Sequence, residues 1–267
     1  MPLWSRTGAP GLFLPWERAT PSPGDRHPVE VRGGPASVVA SDRIVPVPVP
    51  NVPVPQCVGG ERITDMNRAV IAIDVQESFR QLEIWQAASD PDISRPVQRL
   101  VGDARAKGDL VVWVLHTEPG SGTVFDPDLG HVRLMEGLEP RGGEPVLTKT
   151  SHNAFTTTDL QRRLTARGIG ELVVCGVRTE QCCETTARLA SDLGYSVTFA
   201  IDATATTPRE HRDAPSGRTL AEVLADPRTL STDDIRARTE YALAGRFAAI
   251  RTVDDITGAA PTAGNRA

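Results

Sequence analysis

Leu172-Val173-Val174-Cys175-Gly176-Val177-Arg178-Thr179-Glu180-Gln181-Cys182-Cys183-Glu184-Thr185-Thr186-Ala187 opens on an unbroken apolar or small run, passes through a polar turn, and continues with helical spacing. Consecutive apolar residues without alternation are what a strand covered on both faces requires. If a helix begins near Glu180, then Cys183, Ala187, Ala190 and Gly194 fall on one face, all small enough for close packing on a sheet. Cys183 therefore reads as a core thiol, the usual fate of free cysteine. Cys182 points about a hundred degrees away, in the first helical turn.

The same alternation extends in both directions. Short apolar runs occur at Ala69–Ile73, Leu110–Leu115, Pro145–Leu147, Val197–Ile201 and Ala248–Val253. Helical stretches fall at Arg95–Ala106, Thr158–Ala166, Glu180–Leu193 and Thr232–Phe247. Gly168 and Gly194 follow the second and third of these as helix stops, and Ser231 with Asp234 makes a capping-box start for the fourth. Strand–helix–strand repeated this often predicts an α/β fold, a three-layer α/β/α doubly wound domain with a mostly parallel sheet of about six strands. In such sheets ligands sit beyond the carboxyl ends of the strands, near a topological switch point.

Composition narrows the class. The chain has 267 residues, 29 basic against 34 acidic side chains and a net charge of -5, with no basic block, which argues against nucleic acid as a partner. No apolar run approaches twenty residues, which argues against a membrane span. Four cysteines are too few for a disulfide scaffold and none forms a spaced Cys-x-x-Cys site. Of the 22 prolines, 12 lie in the first sixty residues, including Val45-Pro46-Val47-Pro48-Val49-Pro50, where proline at alternate positions allows neither helix nor sheet ladder. Residues 1–65 read as an extended arm or as a misassigned start ahead of Met66, 66–258 as one folded domain, and 259–267 as a flexible tail. With reduced-looking cysteines and no secretory signal, a cytoplasmic location is the default expectation.

Three polar residues end predicted strands. Asp74 follows the first, Lys149 ends the third, and Cys182 lies just beyond the fourth. Asp74 equally suits a helix cap and Lys149 a strand end reaching solvent. A cysteine in a first helical turn, however, meets unpaired N–H groups and positive partial charge that favour a thiolate, and a neighbouring lysine would lower its pKa further from about 8.5. Asp74 could accept the thiol proton and later return it to a leaving amine.

The order and spacing of Asp74, Lys149 and Cys182 resemble the Asp-Lys-Cys triad of the isochorismatase-like cysteine hydrolases. Gly176-Val177-Arg178-Thr179-Glu180-Gln181-Cys182-Cys183-Glu184-Thr185-Thr186-Ala187 is similar to that family's Gly-Val-x-Thr-x-x-Cys-Val-x-x-Thr-Ala signature, Ala72-Ile73-Asp74-Val75-Gln76 with Phe79 to its opening motif, and Lys149 with Asn153-Ala154-Phe155, Thr158 and Leu160 to its middle block. The likeness runs from about Met66 to Ile256. It implies that Cys182 attacks a small amide or carbamoyl substrate to form a thioester, that Asp74 shuttles the proton, and that Lys149 holds the thiolate. It further implies oxyanion donors from the backbone N–H groups of Arg178 and Cys182, a cis Val177–Arg178 bond, no cofactor, and a homo-oligomer, dimer or tetramer.

Departures from the pattern bear on substrate. Arg178 replaces a small residue, suiting either a substrate carboxylate or an outward salt bridge. Glu180-Gln181 replaces an acidic–apolar pair. The motif-bearing part of the chain has no Asp-x-His set of the kind metal-using relatives carry, so no metal site is expected; His116, Glu118 and His131 read as loop residues. Phe79, Trp85, His116, Asn153 and Phe155 are pocket candidates, and Thr206–Asp226 reads as a polar loop, a lid or subunit contact. Competing readings are a vinyl-ether hydrolase of the isochorismatase type, which needs Asp74 but no nucleophilic cysteine, and a flavodoxin-like binding or redox protein using Cys182-Cys183. Against the latter, adjacent cysteines form only a strained disulfide, and no glycine-rich phosphate loop follows the first strand.

Overall fold

The computed structural model describes residues 67–258. The readings of residues 1–65 and of the tail 259–267 lie outside the described residues. Six strands form one sheet: β1 (Asn67–Ile73), β2 (Leu110–His116), β3 (Val146–Lys149), β4 (Ile169–Val177), β5 (Ser196–Ala205) and β6 (Ala249–Arg251). Their order is β3-β2-β1-β4-β5-β6 and every pairing is parallel, as both-face coverage of apolar strands predicts. The order reverses between β1 and β4, which places the switch point at the carboxyl ends of those two strands.

The helices are α1 (Ser94–Lys107), α2 (Leu160–Ala166), α3 (Glu184–Asp192), α4 (Leu220–Ala225), α5 (Thr232–Leu243) and α6 (Val253–Thr257). Alternation along β1 shows how they form two layers. Ala69, Ile71 and Ile73 join one apolar cluster with Leu160 and Leu164 of α2, Ala187 and Ala190 of α3, and Cys183 just ahead of α3. Val70 and Ala72 join the other, with Val97, Leu100, Val101 and Ala104 of α1 and Val253 of α6. The period-2 strand thus feeds two period-3.6 helix faces, one on each side.

Two elements differ from the sequence reading. The stretch Thr206–Asp226 is not all loop, because Thr219 and Glu222 form a capping box that starts α4. The helix expected from Glu180 begins instead with a π-helical turn, Thr179–Cys183, and turns α-helical only at Glu184. Elsewhere the local signals hold: Ser231 Oγ accepts from the Asp234 N–H at 3.1 Å, and Gly168 and Gly194 take positive φ beyond their helices.

Gly176 is the position where backbone conformation and packing both demand glycine. Its φ is +126°, and a Cβ there would lie 1.9 Å from the Ile73 carbonyl oxygen. The close approach of β1 and β4 at this point leaves no side-chain space directly ahead of Asp74 and the Arg178 turn. Gly176→Ala should therefore destabilise the domain by about 3 kcal/mol or more, read as a lower urea midpoint at unchanged slope.

Candidate active site

Asp74 is the first residue past β1 and sits at φ +53°, a left-handed conformation that aspartate tolerates better than most residues. Its N–H donates to the Val114 carbonyl at 2.8 Å, so the chain leaves the sheet while still tied to β2. Lys149 is the last residue of β3, and the β2–β3 register sets it beside His116, the last residue of β2. Cys182 comes from the π turn after β4. Three strand ends and one turn thus deliver their polar side chains to one point.

At that point Lys149 Nζ lies 2.8 Å from Asp74 Oδ2, with both side chains fully buried. Lys149 Nζ also donates to Cys182 Sγ at 3.4 Å and lies 3.5 Å from His116 Nδ1. Beyond the ion pair, neither Asp74 oxygen receives a well-aligned hydrogen bond. A buried carboxylate so short of donors retains acceptor capacity for an arriving proton.

The protonation pattern differs from the sequence expectation. Burial, joined by the Asp74 carboxylate, pushes the Cys182 thiol up to about 12 despite the opposing effect of Lys149. Two features reverse the expected lowering: Cys182 is 8% exposed, and the carboxylate that would take its proton also repels its charge. The resting group is a thiol. Burial pulls the Lys149 ammonium down, but Asp74 and Cys182 outweigh it and hold the group above its ordinary value. Burial and then Lys149 depress His116, so its imidazole is neutral.

Cys183 is fully buried in the α3–sheet core, where burial first and Cys182 second raise it well above an ordinary thiol. Cys175, fully buried in β4, is pushed to about 12 by burial alone. The three are free thiols, and Cys183 has no exposure, which leaves a vicinal redox pair without access. These shifts fix a pH dependence of stability. An unfolded thiol loses its proton near pH 8.5 while the folded one keeps it, so the unfolded state binds fewer protons and stability falls as pH rises above about 8.5. Three such thiols give a limiting slope of about 4 kcal/mol per pH unit, to be seen as a falling urea midpoint between pH 8.5 and 10.

Around the cluster, Gln76 clamps the end of β2: its Oε1 accepts from the His116 N–H at 2.8 Å and its Nε2 donates to the His116 carbonyl at 3.0 Å. His116 Nε2 lies 3.3 Å from Glu118 Oε1, and its ring meets Phe125 edge-on at 5.5 Å. Phe125 meets Phe79 at 5.1 Å, and Trp85 stands behind Phe79 at 5.8 Å. Phe79 and His116 therefore share one wall, which sequence pattern marked, and Phe125, which it did not, joins them. Trp85 belongs one layer back. Phe155 stacks on Tyr195 at 6.1 Å, and Asn153 Oδ1 accepts from the N–H groups of Phe155 and Thr156. Both shape the β3–α2 connection.

Arg178 heads the π turn. The Val177–Arg178 peptide bond is cis, and the Arg178 carbonyl accepts from the N–H groups of Gln181 and Cys183, each at 3.2 Å. Among the described residues Arg178 makes no outward salt bridge, and Glu180 is engaged elsewhere: its Oε1 accepts from Arg209 Nε at 3.1 Å and its Oε2 from Thr206 Oγ1 at 2.6 Å. The polar segment after β5 is thereby anchored to the turn that carries Cys182. The His131 carbonyl accepts from Ser78 Oγ at 3.0 Å.

The fold and the cluster define a doubly wound, all-parallel α/β domain with a buried Asp–Lys–Cys constellation at its switch point. A family model for the isochorismatase domain matches residues 68–229, and the chain belongs to the isochorismatase family. It is 38% identical over 140 residues to a streptothricin hydrolase of Streptomyces noursei, covering 52% of this chain and 54% of that protein, so the match spans about half that relative's length. It is 31% identical over 149 residues to the uncharacterized isochorismatase family protein YddQ of Bacillus subtilis (strain 168), covering 55% of this chain and 83% of that one. A crystal structure of an isochorismatase-family protein from Chromobacterium violaceum ATCC 12472 superposes with a TM-score of 0.64 at 26% identity, covering 74% of this chain and 96% of that one. No helix among the described residues is long and apolar enough to cross a membrane.

Proposed function

We propose that the protein is a cysteine hydrolase that cleaves the C–N bond of a small amide or carbamoyl compound through a thioester on Cys182. The observation that carries this reading is the contact of one lysine with both a buried carboxylate and a buried thiol: Lys149 Nζ is 2.8 Å from Asp74 Oδ2 and 3.4 Å from Cys182 Sγ. A relative named for a hydrolase supports the reaction class.

The chemistry follows from the protonation pattern. As Cys182 Sγ attacks the carbonyl carbon, its proton passes to Asp74 and the carbonyl π pair moves to oxygen. Lys149 stabilises the sulfur's developing negative charge, so a thiol held near pKa 12 ionises only as the new bond forms. The backbone N–H groups of Arg178 and Cys182 serve as oxyanion donors, each worth about a hundredfold or more in rate. Collapse expels the amine, which takes the proton from Asp74, and leaves the thioester. Water then gives a proton to Asp74 as it attacks, the C–S bond breaks, and the sulfur recovers that proton. The sum is amide plus water to acid plus amine.

The test is ammonia release over a panel of small amides, carbamoyl compounds and ureides, with Cys182→Ala alongside the unaltered chain. Turnover that survives Cys182→Ala, or a catalytic intermediate that never appears as a mass adduct on Cys182, would overturn the reading. The vinyl-ether alternative needs no thiol, so turnover of an enol ether unaffected by Cys182→Ala would favour it instead.

A further inference from the structure

Arg178 differs from the paired arginines around it. Arg68, Arg105, Arg188, Arg209 and Arg238 all pair with carboxylates. Arg178 has no ion pair and no side-chain hydrogen bond among the described residues; its guanidinium carbon lies over the Phe79 ring, 5.6 Å from the centroid. Glu180, the carboxylate nearest in sequence, is taken by Arg209 and Thr206. Burial, with Arg209 as a second cation, lowers the Arg178 guanidinium to about 10, the mark of a charge short of compensation.

The carboxylates around the site are each engaged elsewhere. Asp74 lies against Lys149, Glu180 against Arg209 and Glu118 against His116, so among the described residues no carboxylate makes an ion pair with Arg178. A partly buried cation without a counter-charge is unfavourable unless something supplies one. Arg178 stands four residues before Cys182, and the wall Phe79–Phe125–His116 runs continuously from its guanidinium to Lys149.

We propose that Arg178 is the specificity-determining residue of the site and that the substrate is an amide or carbamoyl compound carrying a carboxylate, which Arg178 binds while Cys182 attacks the amide end. The assignment rests on the hydrolase reading above. A guanidinium offers a two-donor fork that matches one carboxylate in shape and charge, whereas a phosphate dianion would leave a charge unmatched. The Phe79 ring holds the fork's face and leaves its edge for the ligand.

The test uses the full chain and pairs of compounds differing only in the acid: N-carbamoylglycine against 2-hydroxyethylurea, and succinamic acid against 4-hydroxybutanamide. The acid of each pair should be favoured in kcat/KM by about a hundredfold, Arg178→Gln should erase that ratio, and Arg178→Lys should restore part of it. A second arm titrates the same compounds into the Cys182→Ala chain by calorimetry, with and without Arg178→Gln. There the acids should bind at least about tenfold tighter, only while Arg178 is present. Equal use of acid and alcohol, a ratio untouched by Arg178→Gln, or no acid binding in the second arm would overturn the proposal. Arg178-dependent acid binding without turnover by the unaltered chain would keep this assignment and sink the hydrolase reading instead. Urea midpoints confirm that each variant folds.

Discussion

Cys182→Ala should lose turnover by about 10⁴-fold or more with little change in the urea midpoint, and Cys183→Ala should keep its turnover at a stability cost of about 1 kcal/mol. Two adjacent, chemically identical side chains make this a sharp comparison. Cys182 Sγ accepts from Lys149 Nζ at 3.4 Å and retains 8% exposure, an opening for substrate. Cys183 has no exposure and packs with Ala187 and Ala190 of α3 against the sheet. Truncating it opens a small core void, a loss of about 1 kcal/mol, with no reacting atom touched. The helical spacing of positions 183, 187 and 190 already separates the two roles, and the π turn adds the geometry that turns Cys182 toward the strand ends. Retained activity in Cys182→Ala with loss in Cys183→Ala would invert the assignment.

What could be read from sequence was what depends on period and position. Consecutive apolar runs marked parallel strands, and a polar residue ending such a run marked the carboxyl edge where Asp74 and Lys149 stand. What escaped depends on distances across the fold. The direction of the Cys182 shift is set by how deeply it is buried and how close Asp74 lies, neither of which a first-turn position reveals. The freedom of Arg178 follows from Arg209, 29 residues past Glu180, taking the carboxylate that sequence proximity would give to Arg178. Phe125 joins Phe79 and His116 only because the β2–β3 connection folds back over the strand ends, and nothing in its local sequence distinguishes it. The six-residue α4 was hidden by its proline- and glycine-rich surroundings, although Thr219 and Glu222 stood at capping-box spacing.

The second large effect concerns the buried ion pair and separates stability from catalysis. Asp74→Asn leaves the Lys149 ammonium fully buried without its carboxylate, and Lys149→Met leaves the carboxylate without its ammonium. Each should destabilise the domain by about 3–5 kcal/mol, because an uncompensated charge in the interior loses far more than the pair gains by existing. The double variant Asp74→Asn/Lys149→Met removes both charges together. It should recover most of the lost stability, so the urea cycle shows a coupling of several kcal/mol rather than additivity. Activity should not recover in any of the three. Without Asp74 the Cys182 proton has no acceptor, and without Lys149 the sulfur, already held as a thiol near pKa 12, has no cation to ionise against. If the two groups were merely a structural pair, stability and turnover would rise together in the double variant. A double variant with near-native urea midpoint and turnover still at background is the result the geometry requires, because the same 2.8 Å contact that neutralises two buried charges also holds the acceptor and the cation where the thiol can use both.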